Sequence, residues 1–203
     1  MLDPLLYEQF RDIGRDIYVG GLTSSHGGNL SVRIGNRIVI KRRGAQLGRL
    51  KPEDLVVTRL NGRDSGITRA STELIVHRAI YLQTSALAIV HSHPRTAVAL
   101  SLSRDEILPV DNEGSYLLHK VPVVHTELTA GSKEVAELLP RWLKEYDIVM
   151  LRGHGPFAIG HLLEEAYQLT SVLEMACRIM TIADGLGDQV KEYRKGSDRY
   201  ETW

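Results

Sequence analysis

Amphipathic helix patterns lie near the two ends of the chain. Near the start, apolar residues step by four, three and four positions: Leu6, Phe10, Ile13 and Ile17. Asp3-Pro4 is typical of a helix start, and Gly20-Gly21 is typical of a helix end. A longer series near the other end has the same spacing: Leu162, Ala166, Leu169, Leu173, Ala176 and Met180. Both series predict helices that bury one face.

Between these helices, short apolar runs alternate with helical stretches. The predicted strands are 30–34, 37–41, 55–59, 86–91, 121–125, 147–151 and 157–159. The predicted helices between them are 72–83, 96–102 and 132–144. This interleaving predicts one α/β domain over residues 1–185, with helices packed on a mixed or antiparallel sheet. The polar tail, 186–203, is expected to become ordered only against a neighbouring subunit.

Composition and charge argue against several classes of function. Lys+Arg and Asp+Glu balance at 25 each over 203 residues, so neither nucleic acid nor an anionic membrane surface is an expected partner. The single cysteine, Cys177, excludes an internal disulfide framework and is typical of a reducing compartment. The sequence shows no signal peptide or transmembrane span, and we expect a cytoplasmic protein.

Three histidines carry the strongest chemical signal. His91 and His93 stand two residues apart at the end of an apolar run, so their side chains should lie on one face of a strand. His154 lies between two glycines, which allow a sharp turn that exposes its side chain. Convergence of the three imidazoles would form a site for zinc or a similar divalent metal, with positions left open for substrate. Hydrogen-bonded core histidines are the alternative, and we favour that role for the other five, although His26 is close to a candidate anion loop.

Three segments have the composition of an anion site. The Ser/Gly-rich stretch 24–31 can present backbone N–H groups, with Asn29 and Ser31 as side-chain donors. In 70–73 a hydroxyl residue caps a helix whose N-terminus favours phosphate, and 42–44 combines arginines with a glycine. Each segment alone is more often structural, whereas together they predict one small anion. Glu73 is either a solvated residue of the first helical turn or, if that turn faces the metal, a ligand or general base.

Together these motifs resemble the class II aldolase/adducin family. The resemblance covers nearly the whole chain and rests on 28–31, 44, 71–73, 91–93, 153–155, 163–166 and 174, in matching order and spacing. It implies a mostly antiparallel central sheet between helical layers, in a homotetramer with active sites between subunits. It also implies a metal-dependent lyase that cleaves a short ketose phosphate to dihydroxyacetone phosphate and an aldehyde through a zinc-stabilised enediolate.

The resemblance implies roles for individual residues as well. His91, His93 and His154 would bind Zn²⁺, with Mn²⁺ or Co²⁺ as alternatives. Glu73 would be a ligand that leaves the metal to act as the catalytic acid/base. The substrate phosphate would contact Gly28, Asn29, Gly44, Ser71 and Thr72.

Two departures from the family pattern concern the substrate. The segment 41–44 reads Lys-Arg-Arg-Gly where these aldolases usually have Thr-Pro-Ser/Thr-Gly. Arg43 thus replaces a small hydroxyl residue, and it would hold phosphate by charge or accept a carboxylate, since a guanidinium suits both. In the family a tyrosine from a neighbouring subunit donates a proton on the aldehyde side. That position aligns near Glu113 and Tyr116, and a second family tyrosine, from the tail, has only the candidates Tyr193 and Tyr200.

Three functions are compatible with these residues, in descending order of preference. The first is the aldolase. The second is another reaction on the same metal site, namely decarboxylation of a hydroxy-keto acid, dehydration or 4-epimerisation, which Arg43 and Glu113 keep open. The third is a non-enzymatic scaffold such as the adducin head domains, which lack the histidines that this chain has.

Overall fold

Helices and short strands alternate along the chain, as the hydrophobic pattern predicts. The computed structural model describes residues 3–187. Its α-helices are α1 (Pro4–Val19), α2 (Leu74–Gln83), α3 (Arg95–Ser101), α4 (Asn112–Leu118), α5 (Lys133–Trp142) and α6 (Leu163–Gly185). Its strands are β1 (Asn29–Ile34), β2 (Arg37–Lys41), β3 (Leu55–Arg59), β4 (Ala88–His91), β5 (Glu106–Ile107), β6 (Val121–Val124), β7 (Ile148–Leu151) and β8 (Gly155–Gly160).

The strands form one mixed sheet in the order β3-β2-β1-β4-β8-β7-β6-β5. Neighbouring strands are antiparallel except β6 and β7, which are parallel, so the mostly antiparallel sheet is confirmed. The central strand β4 pairs with β1 on one side and β8 on the other. In that register His91, the last residue of β4, lies opposite both Asn29 and Phe157. The three side chains therefore lie side by side on one face of the sheet.

The sheet separates two apolar clusters. Because successive side chains of a strand point to opposite faces, Val90 packs into one cluster and Ile89 into the other. The first cluster contains buried residues of α1, α3, α4 and α6, and the second contains those of α2 and α5. The helices therefore form a layer on each face, which confirms the predicted α/β architecture.

Several element boundaries differ from the predictions. Helix α2 begins at Leu74, so Glu73 is its N-cap residue and does not lie in the first turn. Strand β4 begins two residues later than predicted, and the pair β5 and α4 was not predicted at all. Strand β5 has two residues, too few to produce a hydrophobic period, and α4 begins where the Asp111 side chain accepts a hydrogen bond from Gly114 N.

The predicted tail falls almost entirely outside the described residues. Only its first two residues, 186 and 187, are described, and the candidates Tyr193 and Tyr200 lie beyond them. Within 3–187, no helix has both the length and the apolar character needed to cross a membrane.

A buried carboxylate joins α6 to the start of α3. Glu174 is 2% exposed and accepts hydrogen bonds from Thr96 N at 3.0 Å, Thr96 Oγ1 at 2.8 Å and Ala97 N at 3.1 Å. Arg178 Nε also donates to it, at 2.9 Å. Because α3 begins two residues after His93, Glu174 fixes the segment that follows the histidine pair.

Replacement of this carboxylate should destabilise the protein. Glu174→Leu leaves buried donors without an acceptor, and we expect it to lower the free energy of unfolding by about 3 kcal/mol. Urea unfolding at one fixed protein concentration measures the change. Glu164→Leu, an exposed position on the same helix, is the matched control and should change stability by about 0.5 kcal/mol. Equal changes in the two variants would contradict the role of Glu174.

Candidate active site

The structure brings the three predicted histidines together. His91 ends β4, His93 follows two residues later, and His154 lies in the turn between β7 and β8. One ring nitrogen from each can be chosen so that the three atoms lie within 4.8 Å of one another. The antiparallel pairing of β4 with β8 and of β8 with β7 produces this convergence from two distant parts of the sequence.

Backbone carbonyls fix the orientation of two of these rings. His91 Nδ1 lies 2.9 Å from the Pro156 oxygen, and His154 Nδ1 lies 3.1 Å from the Thr129 oxygen. A carbonyl only accepts, so each Nδ1 carries the proton and each Nε2 presents a lone pair. Burial lowers the pKa of His91 well below its usual value, and burial together with the neighbouring histidines lowers the pKa of His93 to about 3. These two rings are therefore neutral at neutral pH, as metal ligands must be.

Two glycines allow the loop before β1 to approach the histidines. A Cβ atom on Gly27 would lie 2.8 Å from His93 Nδ1. Gly28 has φ +70°, and a Cβ there would lie 2.7 Å from the His91 backbone oxygen. Only glycine fits such close contacts and such a left-handed backbone. The predicted anion loop therefore lies directly against the histidine pair.

Glu73 is the fourth component of the histidine cluster. It is 4% exposed, and its Oε2 accepts a hydrogen bond from Asn29 Nδ2 at 2.9 Å and lies 3.3 Å from His91 Nε2. Its Oε1 is buried and has no hydrogen-bond partner among the described residues. A carboxylate oxygen and imidazole lone pairs that face one another are best stabilised by a cation between them. Three nitrogens and one oxygen are a donor set that suits zinc or a similar divalent metal.

One pocket of about 180 Å³ contains these groups and the predicted anion-binding residues. We call it the active-site pocket. The predicted residues that line it are Gly28, Asn29, Arg43, Gly44, Ser71, Thr72, Glu73, His91, His93 and His154. Four further residues line it: His26 and Gly27, which belong to the predicted anion stretch 24–31, and Lys41 and Ala130, which were not assigned to the site from the sequence. Six separate parts of the chain therefore meet in one place.

Lys41 is the most informative pocket residue that the sequence motifs did not single out. It is only 3% exposed, and its Nζ donates to the Ala45 oxygen at 2.8 Å and to the His26 oxygen at 3.2 Å. An ammonium has three donors, so a third is available to a ligand in the pocket. Burial lowers the pKa of Lys41 to about 8, against the attraction of Glu73. The sequence did contain a signal for this residue, because Lys41 ends an apolar strand and directly precedes the candidate anion segment 42–44.

Three predicted residues lie outside the pocket. Ser31 was expected to donate to the anion, which is wrong: two residues further along β1 than Asn29, it is buried beneath α2 and bonds His77 and Tyr81. Glu113 and Tyr116 lie exposed on α4 and do not line the pocket of their own chain. A catalytic role for either residue stays a prediction that depends on a neighbouring subunit.

Comparison with known proteins bears directly on this geometry. A family model, described as the Class II Aldolase and Adducin N-terminal domain, matches residues 8–181. The chain belongs to the class II aldolase and adducin family. The resemblance found in the sequence motifs is thereby confirmed, and the family fold agrees with the observed sheet and helical layers.

Relatives within the family have more than one named activity. L-fuculose phosphate aldolase of Methanococcus maripaludis is 31% identical over 88% of this chain and 97% of its own length. A 3-oxo-tetronate 4-phosphate decarboxylase of Haemophilus influenzae is 30% identical over 91% of each chain. The crystal structure of L-fuculose-1-phosphate aldolase from Thermus thermophilus has a TM-score of 0.86 and 39% identity, covering 90% of this chain and 95% of that one. Both activities belong to carbon–carbon lyases, and the chain is an enzyme of this family.

Loss of one histidine should release the metal. We expect His154→Ala to lower zinc affinity by about 100-fold or more, because a ligand is lost while the half-buried position tolerates alanine. Titration of metal-free protein with zinc, together with metal analysis of the purified protein, measures this. His161→Ala, an exposed histidine outside the pocket, is the control. A wild-type protein that binds neither zinc, cobalt nor manganese would contradict the metal site.

Proposed function

We propose that the protein is a metal-dependent class II aldolase that cleaves a short ketose 1-phosphate such as L-fuculose 1-phosphate. The products are dihydroxyacetone phosphate and an aldehyde. The observation that carries this proposal is the single pocket in which anion-binding loops, a buried carboxylate and three converging histidines meet. The similarity to proteins named L-fuculose phosphate aldolase supports the choice of substrate. We further propose Zn²⁺ as the metal, and a homotetramer with active sites between subunits.

The phosphate would be held by backbone and charge together. Gly28 and Gly44 both have φ +70°, so their loops can turn peptide N–H groups towards an anion. Ser71 and Thr72 directly precede the N-cap of α2, where free N–H groups and the helix dipole favour a phosphate. Lys41 would supply the charge. Binding at this end of the pocket orients the ketose carbons towards the histidines and Glu73.

The reaction would then depend on Glu73. His91, His93 and His154 would hold the metal, which supplies Lewis-acid stabilisation of negative charge on the substrate oxygens. A base, for which Glu113 or Tyr116 of the partner subunit is the candidate, takes the hydroxyl proton of the departing carbon, which leaves as the aldehyde. The electron pair of the broken carbon–carbon bond stays on the ketose fragment as an enediolate. Glu73, in its acid form, delivers a proton to that carbon and completes dihydroxyacetone phosphate. Asn29 Nδ2 orients the carboxylate for this transfer through its bond to Oε2.

Arg43 supports a second candidate function. Its side chain is exposed at the mouth of the same pocket, where the family aldolases have a small hydroxyl residue. A guanidinium there suits a substrate carboxylate, and a relative is named 3-oxo-tetronate 4-phosphate decarboxylase. Loss of CO₂ from a hydroxy-keto acid also leaves an enediolate, which Glu73 would protonate in the same way. Dehydration and 4-epimerisation are the other reactions that such a site can support.

Product analysis distinguishes the two reactions. Zinc-loaded enzyme is incubated with a panel of ketose 1-phosphates and of phosphorylated hydroxy-keto acids, and dihydroxyacetone phosphate and CO₂ are measured. We expect dihydroxyacetone phosphate from a ketose phosphate, and Glu73→Gln should retain zinc while kcat falls by about 10³-fold. CO₂ release from a keto acid, with neither an aldehyde nor dihydroxyacetone phosphate formed from any ketose phosphate, would replace the aldolase with the decarboxylase. Near-normal turnover by Glu73→Gln would remove Glu73 from the mechanism.

Lys41 should make phosphate binding depend on pH. Its pKa is lowered to about 8, so the ammonium is present below that pH and is lost as the pH rises through it. We expect the KM of the phosphorylated substrate to rise above about pH 8. Lys41→Met should raise KM by about 10-fold to 100-fold at neutral pH and abolish this pH dependence, since one charge-assisted bond is lost. Lys51→Met, an exposed lysine outside the pocket, is the control, and the same KM in both variants would contradict the assignment.

A further inference from the structure

A buried hydrogen-bonded chain runs beneath the active-site pocket from Tyr81 to His77. Ser31 Oγ lies 2.7 Å from Tyr81 Oη and 2.6 Å from His77 Nδ1. All three side chains are essentially fully buried, and none of them lines the pocket. The mechanism proposed above does not use them, although polar groups are costly to bury without a reason.

Packing holds the His77 ring in place next to the histidine cluster. Its edge meets the ring of Phe157, with centroids 6.2 Å apart and planes at 70°. Phe157 in turn stacks on His91, with centroids 4.0 Å apart and planes at 13°. His77 therefore lies one aromatic ring away from a predicted metal ligand. Ser31 holds it through Nδ1 while Phe157 packs against its edge.

The protons of the chain have one favourable arrangement. Burial raises the pKa of Tyr81, so its hydroxyl keeps its proton, and burial lowers the pKa of His77 to about 4, so the ring carries a single proton. If Tyr81 donates to Ser31 and Ser31 donates to His77 Nδ1, the ring proton is on Nε2. The reverse order would leave the Tyr81 hydroxyl proton buried without an acceptor among the described residues.

The chain therefore ends in a donor, one helical turn away from an acceptor that has no partner among the described residues. His77 Nε2 and Glu73 Oε1 are both buried and both unpaired among residues 3–187. Glu73 is the N-cap of α2 and His77 is four residues further on, which is the spacing of neighbours on one helix face. The charge of Glu73 acts on His77 directly.

We propose that His77 is a positioning residue that donates from Nε2 to Glu73 Oε1. Asn29 would hold one oxygen of the carboxylate and His77 the other, so that Glu73 keeps a single orientation towards the three histidines. Tyr81 and Ser31 act through His77 by fixing which nitrogen carries the proton. The inference rests on the proposed role of Glu73 as acid/base, and His77 itself touches no substrate.

Turnover of matched variants tests the role. With zinc-loaded enzyme, His77→Leu should lower kcat by about 10-fold to 100-fold while KM changes by less than about 2-fold. His77→Gln, whose amide can donate in place of Nε2–H, should recover most of this loss. Ser31→Ala should lower kcat as well, whereas Thr170→Val, which removes a buried hydroxyl from α6, should not. Wild-type kcat in both His77→Leu and Ser31→Ala would overturn the inference.

The tautomer of His77 provides a readout that is independent of activity. Nitrogen-15 NMR of zinc-loaded protein labelled at histidine should show the His77 proton on Nε2, and Ser31→Ala should shift the population towards Nδ1. If the His77 proton of the wild-type protein is on Nδ1, the inference is overturned, even if every variant folds and is active. Failure of the proposed function appears differently, as wild-type enzyme that is inactive on the whole substrate panel.

Discussion

The pairing of β4 between β1 and β8 is the constraint on which the active site depends. It sets Asn29, His91 and Phe157 side by side, each from a different strand. His91 is thereby buried, stacked on Phe157 and bonded through Nδ1 to the Pro156 oxygen, which leaves its Nε2 aimed at Glu73 and His93. A shift of one residue in this register would turn His91 to the other face of the sheet and dismantle the cluster.

Two ionisable side chains, those of Glu73 and Lys41, are buried in the pocket that contains the three histidines. The buried carboxyl group of Glu73 lies beside neutral imidazoles, an arrangement that favours a divalent cation among them. Lys41 is a buried cation with two carbonyl partners among residues 3–187, which favours an anionic ligand in the same pocket. Burial of such groups without partners is costly, so binding of a metal and an anion would stabilise the pocket. The proposed metal and phosphate sites are therefore expected to support one another.

Family membership shows that the protein is an enzyme of this lyase family, but it does not decide which reaction the enzyme catalyses. The histidines and Glu73 suit any reaction that passes through an enediolate, and relatives are named for both an aldolase and a decarboxylase activity. The difference between these reactions lies in what leaves the substrate. Under the proposed function, Arg43 at the pocket would therefore select between these reactions, whereas the metal ligands would not.

The sequence alone determined the outer helices, most strands, the three histidines and most of the loop residues that line the pocket with them. These features depend on local periodicity or on motifs of a few residues, which can be recognised in the sequence without knowledge of the fold. The short pair β5 and α4 has no period, and the start of α2 at Leu74 depends on capping geometry. Other features could be seen only in the tertiary structure. Ser31 lies outside the pocket and Lys41 lines it. Tyr81, Ser31 and His77 form a buried hydrogen-bonded chain. Such contacts form between residues more than 40 positions apart, so strand register and helix packing decide them.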